Sequence, residues 1–478
     1  MSRQVLRLMK RTAFLLVFLA LAGCSSANER PSPPATATRV AHTTMTMPSP
    51  ATKLKQSKAL IYSTEVGAWR TDGEPAVSEP ISTKVREAKI RVIRFASLDC
   101  FTDMTCGSDK HAGSLSRSDF DNAIQGITNP AGLNAIPLLK MAPIANDTIN
   151  GVDGSTFCPP WTGDGSGNLP FYREVLNQVR AVYAGPIIIE SSNEMEFACL
   201  RVWQRQGARI GSAGSTGVSR RIGEHFAATM PALKQHARNL GFSEVMVMGY
   251  IGIGGGPSWS SNHATFCNPV DPPDPTHHPY DFKCRFNPRW VDEFNNAVKS
   301  AYDNAPEAAK PDYIPDAISI HAYPHGPDFE PGPGQPGYDN YSFDNQIVYA
   351  YYSNWNKQAR ARLNAIWGSS IGSQVLLAIS EWNAGVSRSG TDRWIGWDDP
   401  EMIQSFYSGW FDMLQGNGVT TGPGTRFWQA TNFCLACNSD FAGPNPNWPG
   451  KYNLVNRNGT RNPQYAAFKD ASLTDAYN

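Results

Sequence analysis

A (β/α)8 barrel is the fold this sequence predicts, and three observations predict it. Eight short apolar runs recur: ALIYSTEVG (59–67), IRVIRFAS (90–97), NAIPLLKMAP (134–143), GPIIIESSNE (185–194), SEVMVMGYI (243–251), DAISIHAYP (316–324), QVLLAISEWN (374–383) and GTRFWQATN (424–432). Most are β-rich and short, as strands of a buried parallel sheet are. Several are separated by segments with helical apolar spacing. FYREVLNQVRAVY (171–183) repeats Val175, Val179 and Val182, and RIGEHFAATMPALKQHARNLG (221–241) closes on Gly241 as a C-cap. WVDEFNNAVKSAYDNA (290–305) and MIQSFYSGWFDMLQG (402–416) follow the same pattern. Long Gly-, Pro- and aromatic-rich stretches, 252–289 and 324–345, come after the fifth and sixth runs. Loops after strands build the functional face of such a barrel, and loops of that length are uncommon without a function. A doubly wound open sheet is disfavoured, because no G-x-G-x-x-G or G-x-x-x-x-G-K-[ST] follows an early run.

The organisation reads as three parts. Residues 1–23 carry Arg3, Arg7, Lys10 and Arg11 ahead of the short apolar run AFLLVFLALA, an export signal. That signal ends in Leu21-Ala22-Gly23-Cys24, which resembles the bacterial lipobox and implies lipidation at Cys24 and a membrane-anchored, extracytoplasmic protein of the cell envelope. Residues 24–57 are rich in Ser, Thr, Pro and Ala, a linker. Residues 58–478 form a single catalytic barrel domain with long βα loops, expected to be monomeric. Without the four basic signal residues the chain holds 38 basic against 42 acidic residues, which argues against a nucleic-acid partner.

Beyond Cys24, eight cysteines remain, an even number that suggests disulfides in an exported protein. Proximity pairs Cys100 with Cys106, Cys267 with Cys284 and Cys434 with Cys437, leaving Cys158 for Cys199. Cys434-x-x-Cys437 is the sole C-x-x-C, so no metal centre and no cofactor is expected.

The acids carry the functional reading. Strand alternation puts Glu190, Ser192 and Glu194 on one face of the fourth strand, with Glu194 at the mouth. The same rule groups Val375, Leu377, Ile379 and Glu381 on the inner face of the seventh strand, so Glu381 reaches the mouth too. Two carboxylates facing each other across a barrel are what glycoside cleavage needs: one protonates the leaving oxygen while the other attacks the anomeric carbon or activates water. Glu190, deeper on the same face, reads as structural and balanced by a buried Arg or Lys, because an isolated buried charge is too costly. Glu196 reads as solvated or in a salt bridge.

With these residues in place, the chain resembles clan A of the retaining TIM-barrel glycoside hydrolases. Asn193-Glu194 looks like the Asn-Glu pair that ends strand 4 and supplies the acid/base. His321-Ala322-Tyr323-Pro324 is similar to the strand-6 HxY, and Ile379-Ser380-Glu381-Trp382-Asn383 to the strand-7 nucleophile, close to its family 39 version. Trp428 sits where the clan places a strand-8 sugar platform. Met195 replaces the Pro that many members carry after Asn-Glu. The resemblance implies a poly- or oligosaccharide substrate and double displacement, with Glu381 as nucleophile and Glu194 as acid/base. Asn193, His321, Tyr323 and Trp428 would contact substrate or position the pair. Arg94, at the end of the second strand, reads either as a site cation beside Glu381 or as part of a barrel-interior ion pair. Trp69, Trp161, Trp259 and Trp382 read equally as sugar platforms or as core. Two other classes stay open: an inactive barrel lipoprotein that binds glycans, and a metal-dependent hydrolase, for which His321 alone stands at a strand end.

Overall fold

A computed structural model describes residues 54–57, 60–66, 79–95, 100–101, 114–141, 158–163, 165–211, 216–253, 267–269, 282–284, 289–322, 345–382, 400–416, 426–432, 435, 454–455 and 459–474. Eight parallel strands close a barrel in chain order: β1 (Ile61–Val66), β2 (Val92–Phe95), β3 (Ile136–Lys140), β4 (Ile187–Glu190), β5 (Val245–Ile253), β6 (Ala317–Ala322), β7 (Leu376–Trp382) and β8 (Gln429–Asn432), with β8 pairing back onto β1. Seven lie inside the runs read from the sequence, and β5 overlaps the fifth run but extends two residues past it. The main helices between and after them are α1 (Ile81–Glu87), α2 (Arg117–Thr128), α3 (Leu169–Val182), α4 (Val218–Asn239), α5 (Arg289–Asn304), α6 (Asn345–Trp367), α7 (Pro400–Gln415) and α8 (Pro463–Thr474).

Local sequence sets the helix ends. Ser116 caps α2, its Oγ accepting from Asp119 N at 3.1 Å. Gly241 stops α4 with φ +80°; Gly241 N donates to Arg238 O at 2.9 Å and Phe242 N to Ala237 O at 3.5 Å. Gly223 lets α4 meet α5, since a Cβ there would lie 2.5 Å from Phe294 O.

Strand alternation divides the apolar residues into two layers. Outward residues such as Tyr62, Ile93, Leu139, Ile189, Val247 and Ile318 pack with the helices in one large core. Inward residues form a smaller cluster at the barrel floor: Ile61, Val92, Ile136, Leu138, Ile188, Met246, Met248, Ala317 and Ala378. Two residues further along, the inward positions turn polar. Ile61 gives way to Ser63, Val92 to Arg94, Ile188 to Glu190 and Ala317 to Ser319, all buried. The barrel therefore has a dry floor and a charged mouth.

Three sequence expectations are corrected here. The linker ends earlier than residue 57, because Leu54–Gln56 forms a turn of 3-10 helix that closes the floor. Leu54 is buried in the floor cluster, its N–H donates to Glu244 Oε2 at 2.9 Å, and Lys55 Nζ reaches Asp316 Oδ1 at 2.9 Å. Trp428 is not a sugar platform. It precedes β8, belongs to the floor cluster, and its Nε1 donates to Leu54 O at 3.0 Å, at the end of the barrel opposite the mouth. The inward face of β7 is also the reverse of the expected one. Leu377 and Ile379 face the helices and Ala378 faces the floor. A bulge restores Glu381: Ile320 pairs with Ile379 but His321 pairs with Glu381, so Ser380 is an extra residue that reverses the alternation. Trp382 then points outward, fully buried against Tyr407, Trp410 and Phe411 of α7, and is core.

Cys158 and Cys199 are disulfide-bonded, as the sequence leaves them. The bond ties the turn before α3 to the segment after β4, and Trp203 Nε1 adds a bond to Pro159 O at 2.8 Å. Cys267 and Cys284 are register partners in a two-stranded antiparallel sheet. Cys24, Cys106, Cys434 and Cys437 lie outside the described residues, as do Trp69 and Trp259.

The floor makes a direct prediction. A chain beginning at residue 58 loses the Leu54 plug and its backbone bonds, and is expected to be about 2–4 kcal/mol less stable than one beginning at residue 53. Urea unfolding midpoints of the two compare them; equal midpoints would remove the plug from the fold.

Candidate active site

The site grows upward from the floor on the inward positions of β1, β2, β4, β5, β6 and β7. Arg94 stands at its centre with a fully buried side chain. Four of its N–H bonds meet side-chain oxygens, and the fifth faces the His321 ring. Nε donates to Glu190 Oε2 at 2.8 Å, Nη1 to Glu65 Oε2 and to Glu381 Oε2 at 2.8 Å, and Nη2 to Asn193 Oδ1 at 2.7 Å, with His321 Nε2 at 3.4 Å. Burial alone would lower the Arg94 pKa, but the charges of Glu190, Glu65 and Glu381 outweigh it and hold the guanidinium protonated. Both sequence readings of Arg94 therefore hold together: it is a barrel-interior ion pair and it is the cation beside Glu381. It does not touch substrate, since no part of the side chain is exposed.

Glu190 is structural, as expected. Besides Arg94, its Oε1 accepts from Ser319 Oγ at 3.1 Å. The fourth strand ends at Glu190, and Glu194 reaches the mouth by a turn rather than by continued alternation. Ser191 N still donates to Met248 O at 3.0 Å, and Glu194 itself adopts φ +46° before the short helix Met195–Ala198 begins. A left-handed conformation at a residue with a long side chain is strained, and such strain collects at functional positions.

His321, buried on β6, bridges the two acids. Its Nδ1 lies 3.0 Å from Glu194 Oε1 and its Nε2 3.4 Å from Glu381 Oε2. Burial works against its charge, yet Glu381 and the hydrogen bond to Glu194 win and raise its pKa above the usual histidine value. As imidazolium, His321 donates from Nδ1 to Glu194 and sets its charge 3.4 Å from Glu381 Oε2. As neutral imidazole it donates to Glu194 and accepts from Arg94. One ligand atom from each of Glu194, His321 and Glu381 falls within 4.8 Å of the others. The Arg94 guanidinium already donates to Glu381 Oε2 and approaches His321 Nε2, so a metal ion held by this trio would compete with it for both.

The two acids differ in exposure. The Glu381 side chain is 8% exposed and that of Glu194 is 25% exposed. Asn193 has its carbonyl oxygen bound to Arg94, which leaves its amide N–H groups as the donors available at the mouth.

Behind Glu194 stands a residue the sequence reading misplaced. Glu196 is not solvated: it is 1% exposed, and its Oε1 accepts from Tyr250 Oη at 2.6 Å. Burial, with the charge of Glu194 adding to it, pushes the Glu196 carboxyl up to about 7 against the Tyr250 hydrogen bond. Burial and the neighbouring Glu196 carboxylate likewise push the Tyr250 phenol far above its usual value, so it stays a neutral donor. The Tyr250 ring lies 4.7 Å from that of His321.

Arg94, Asn193, Glu194, His321 and Glu381 are thus brought together; Trp428 is not, and Tyr323 lies outside the described residues. Trp161 packs against Trp203, ring centroids 5.5 Å apart, beside the disulfide segment. Sequence reasoning missed Glu65, Tyr250 and Ser319. All three were findable from phase alone: they sit two or four residues beyond inward floor residues Ile61, Met248 and Ala317. Lys140, 3.4 Å from Glu65 Oε1, follows inward Leu138 in the same way.

Neither a protein-family model nor a curated protein sequence matches the chain. Solved structures resemble it at low identity. A family 39 β-xylosidase from Caulobacter crescentus is 14% identical, with 86% of this chain and 70% of that one covered and a TM-score of 0.47. Xylanase 10B from Thermotoga petrophila, in complex with xylobiose, is 10% identical over 90% of this chain and 99% of that one, with a TM-score of 0.44. A broad-specificity family 5 subfamily 4 endoglucanase from an uncultured bacterium is 12% identical over 87% and 93%, with a TM-score of 0.44. The barrel and its site stand on the strand order and distances given above.

The hub at Arg94 is testable by stability. Arg94→Met leaves Glu190 buried without its cation and Glu65 with Lys140 alone, and a loss of roughly 3–5 kcal/mol is expected in urea unfolding. A loss below about 1 kcal/mol would show that the carboxylates find other partners.

Proposed function

We propose that the protein is a retaining glycoside hydrolase that cleaves O-glycosidic bonds in a poly- or oligosaccharide. The observation that carries this reading is the closeness of Glu194 and Glu381, with a carboxylate oxygen from each inside the 4.8 Å cluster. Carboxyl groups about 5–5.5 Å apart suit double displacement, whereas inversion needs roughly 6.5–9.5 Å to admit a water between them.

Glu381 is the nucleophile in this reading. It is the less exposed acid, and Arg94 fixes one of its oxygens. Glu194, more open, protonates the departing oxygen. It then takes a proton from the water that opens the glycosyl-enzyme. His321 holds the two carboxyls in register. Asn193 offers its amide N–H to the sugar 2-hydroxyl, an interaction that strengthens as the oxocarbenium-like transition state forms. Tyr323, one residue past the end of β6, is proposed to contact Glu381. No cofactor takes part in this scheme.

The proposal is tested by hydrolysis of a panel of aryl glycosides and plant and bacterial polysaccharides, with the wild type beside Glu194→Gln and Glu381→Gln. The wild type is expected to cleave at least one substrate, and each variant to lose a factor of about 10³ or more in kcat on it. Variants as active as the wild type would remove the pair from catalysis. A glycan bound but never cleaved would favour the glycan-binding reading.

We also propose anchoring of the barrel to a bacterial membrane through lipid on Cys24. The supporting features are the lipobox-like Leu21-Ala22-Gly23-Cys24 and the Ser/Thr/Pro/Ala-rich segment after it. Cys24→Ala is expected to move the protein from the membrane fraction to the soluble fraction on expression in a bacterium; an unchanged distribution would reject the anchor.

A further inference from the structure

Glu194 is carried by a turn that its own sequence does not stiffen. The residue holds φ +46°, and a left-handed residue with a long side chain persists only where neighbouring structure imposes it. Met195, which follows, has no ring to fix its backbone. Upstream, the turn is tied to the barrel: Ser191 N donates to Met248 O at 3.0 Å, and Arg94 Nη2 to Asn193 Oδ1 at 2.7 Å. Downstream, Cys199 N donates to Met195 O at 2.9 Å. Cys199 is thus one backbone hydrogen bond from the residue beside Glu194. It is fully buried and bonded to Cys158.

Two hydrogen bonds run beside that disulfide and join the same two segments. Trp203 Nε1 donates to Pro159 O at 2.8 Å, and Trp161 N to Gln206 Oε1 at 2.7 Å. The Trp161 and Trp203 rings lie against each other between them. The 158–163 segment is held in turn by α4, a helix of 22 residues, whose buried Arg221 donates from Nη1 to Gly163 O at 3.3 Å. A continuous set of contacts therefore runs from α4 through residues 158–163 and 199–206 to Met195 and Glu194.

We infer that Cys158, Cys199 and Trp203 are positioning residues for the acid/base: the clamp they form sets where Glu194 stands and leaves Glu381 alone. The nucleophile needs no such clamp. Glu381 lies inside β7, which pairs with β6 and β8, and Arg94 Nη1 holds its Oε2 at 2.8 Å. Glu194 has no strand beneath it, because β4 ends at Glu190. Its distance to a leaving oxygen follows the segment that carries it, and a misplacement of about 1 Å can cost roughly 100-fold in rate. The inference rests on the glycosidase reading for its effect on rate. Its effect on the turn stands on the geometry alone.

The test has two arms on the full-length protein. It compares the wild type with the double variant Cys158→Ala, Cys199→Ala, and with Trp203→Phe, which keeps a ring and removes the bond to Pro159. The first arm is amide hydrogen exchange read by mass spectrometry. Peptides covering residues 191–206 are expected to exchange roughly tenfold faster in the double variant, with those covering β7 unchanged. Equal exchange at 191–206, or acceleration of both regions alike, overturns the inference. The second arm is kcat/KM on aryl glycosides of one sugar with graded leaving groups. A dinitrophenolate departs with little help from an acid, whereas a phenol needs its proton. The double variant is expected to lose roughly 10–100-fold on the phenyl glycoside and less than about threefold on the dinitrophenyl one. Trp203→Phe is expected to split the two substrates in the same direction. An equal loss on both substrates would show a merely structural bond and overturn the inference. Should the double variant not fold, Trp203→Phe decides both arms. If the wild type cleaves no glycoside, the proposed function fails, while the exchange arm still decides whether the clamp holds the turn.

Discussion

Everything at the mouth of this barrel depends on one buried guanidinium. Arg94 has five N–H donors in a fixed plane; four meet oxygens from β1, β4, the turn after β4 and β7, and the fifth faces His321 of β6. A guanidinium out of water is tolerable only with such pairing, and three buried carboxylates are tolerable only around such a cation. The constraint runs both ways. Once Arg94 is placed, Glu65 and Glu190 are held below the mouth, one oxygen of Glu381 is fixed, and Asn193 is held by its carbonyl oxygen. A lysine offers one point charge and could not orient four side chains at once.

The backbone does the rest through phase. Inward residues of β1, β2, β4 and β6 pass from apolar to polar within one step of two, so the same alternation that builds a dry floor builds a charged mouth. β7 breaks that alternation at Ser380. With regular alternation and no bulge, Glu381 would face α7 with Ile379, and Trp382 would face the mouth. The bulge reverses both, which gives Glu381 to the site and Trp382 to an aromatic cluster with Tyr407, Trp410 and Phe411. Glu194 is aimed by a different device, a left-handed turn after β4. Neither acid arrives simply by standing at the end of a straight strand.

That is also why the sequence was legible in some places and not in others. Eight buried runs, the helical spacing of Val175, Val179 and Val182, and Gly241 as a stop are local signals, and local structure follows them. Glu190 needing a buried cation follows from the cost of charge, and Arg94 is that cation. Cys158 and Cys199 were left to each other once nearer cysteines were paired, and they are bonded. A bulge, by contrast, carries no marker in Ala378-Ile379-Ser380-Glu381, so the face of β7 was read in the wrong phase while its end residue was read correctly. Trp428 was placed by likeness to a family pattern, but it sits one residue before β8 and fills the floor above Leu54. Leu54 itself is a single leucine in a Ser/Thr/Pro/Ala-rich context. Glu196 looked like an ordinary surface acid because its partner, Tyr250, lies 54 residues away.

The chemistry assigned to this arrangement separates two acids by exposure and by partner. Glu381 sits low, held by Arg94; Glu194 sits higher, held by His321 and open to a leaving group and to water. The central claim is that Glu381 becomes covalently glycosylated. The most direct measurement is intact and peptide mass spectrometry after incubation with a set of 2-deoxy-2-fluoro glycosyl fluorides, which slow the second displacement more than the first. One sugar of the set should add its glycosyl mass to the peptide bearing Glu381, and Glu381→Gln should take up none. Labelling at another carboxylate, or turnover of a natural glycoside to the inverted anomer, would contradict the account.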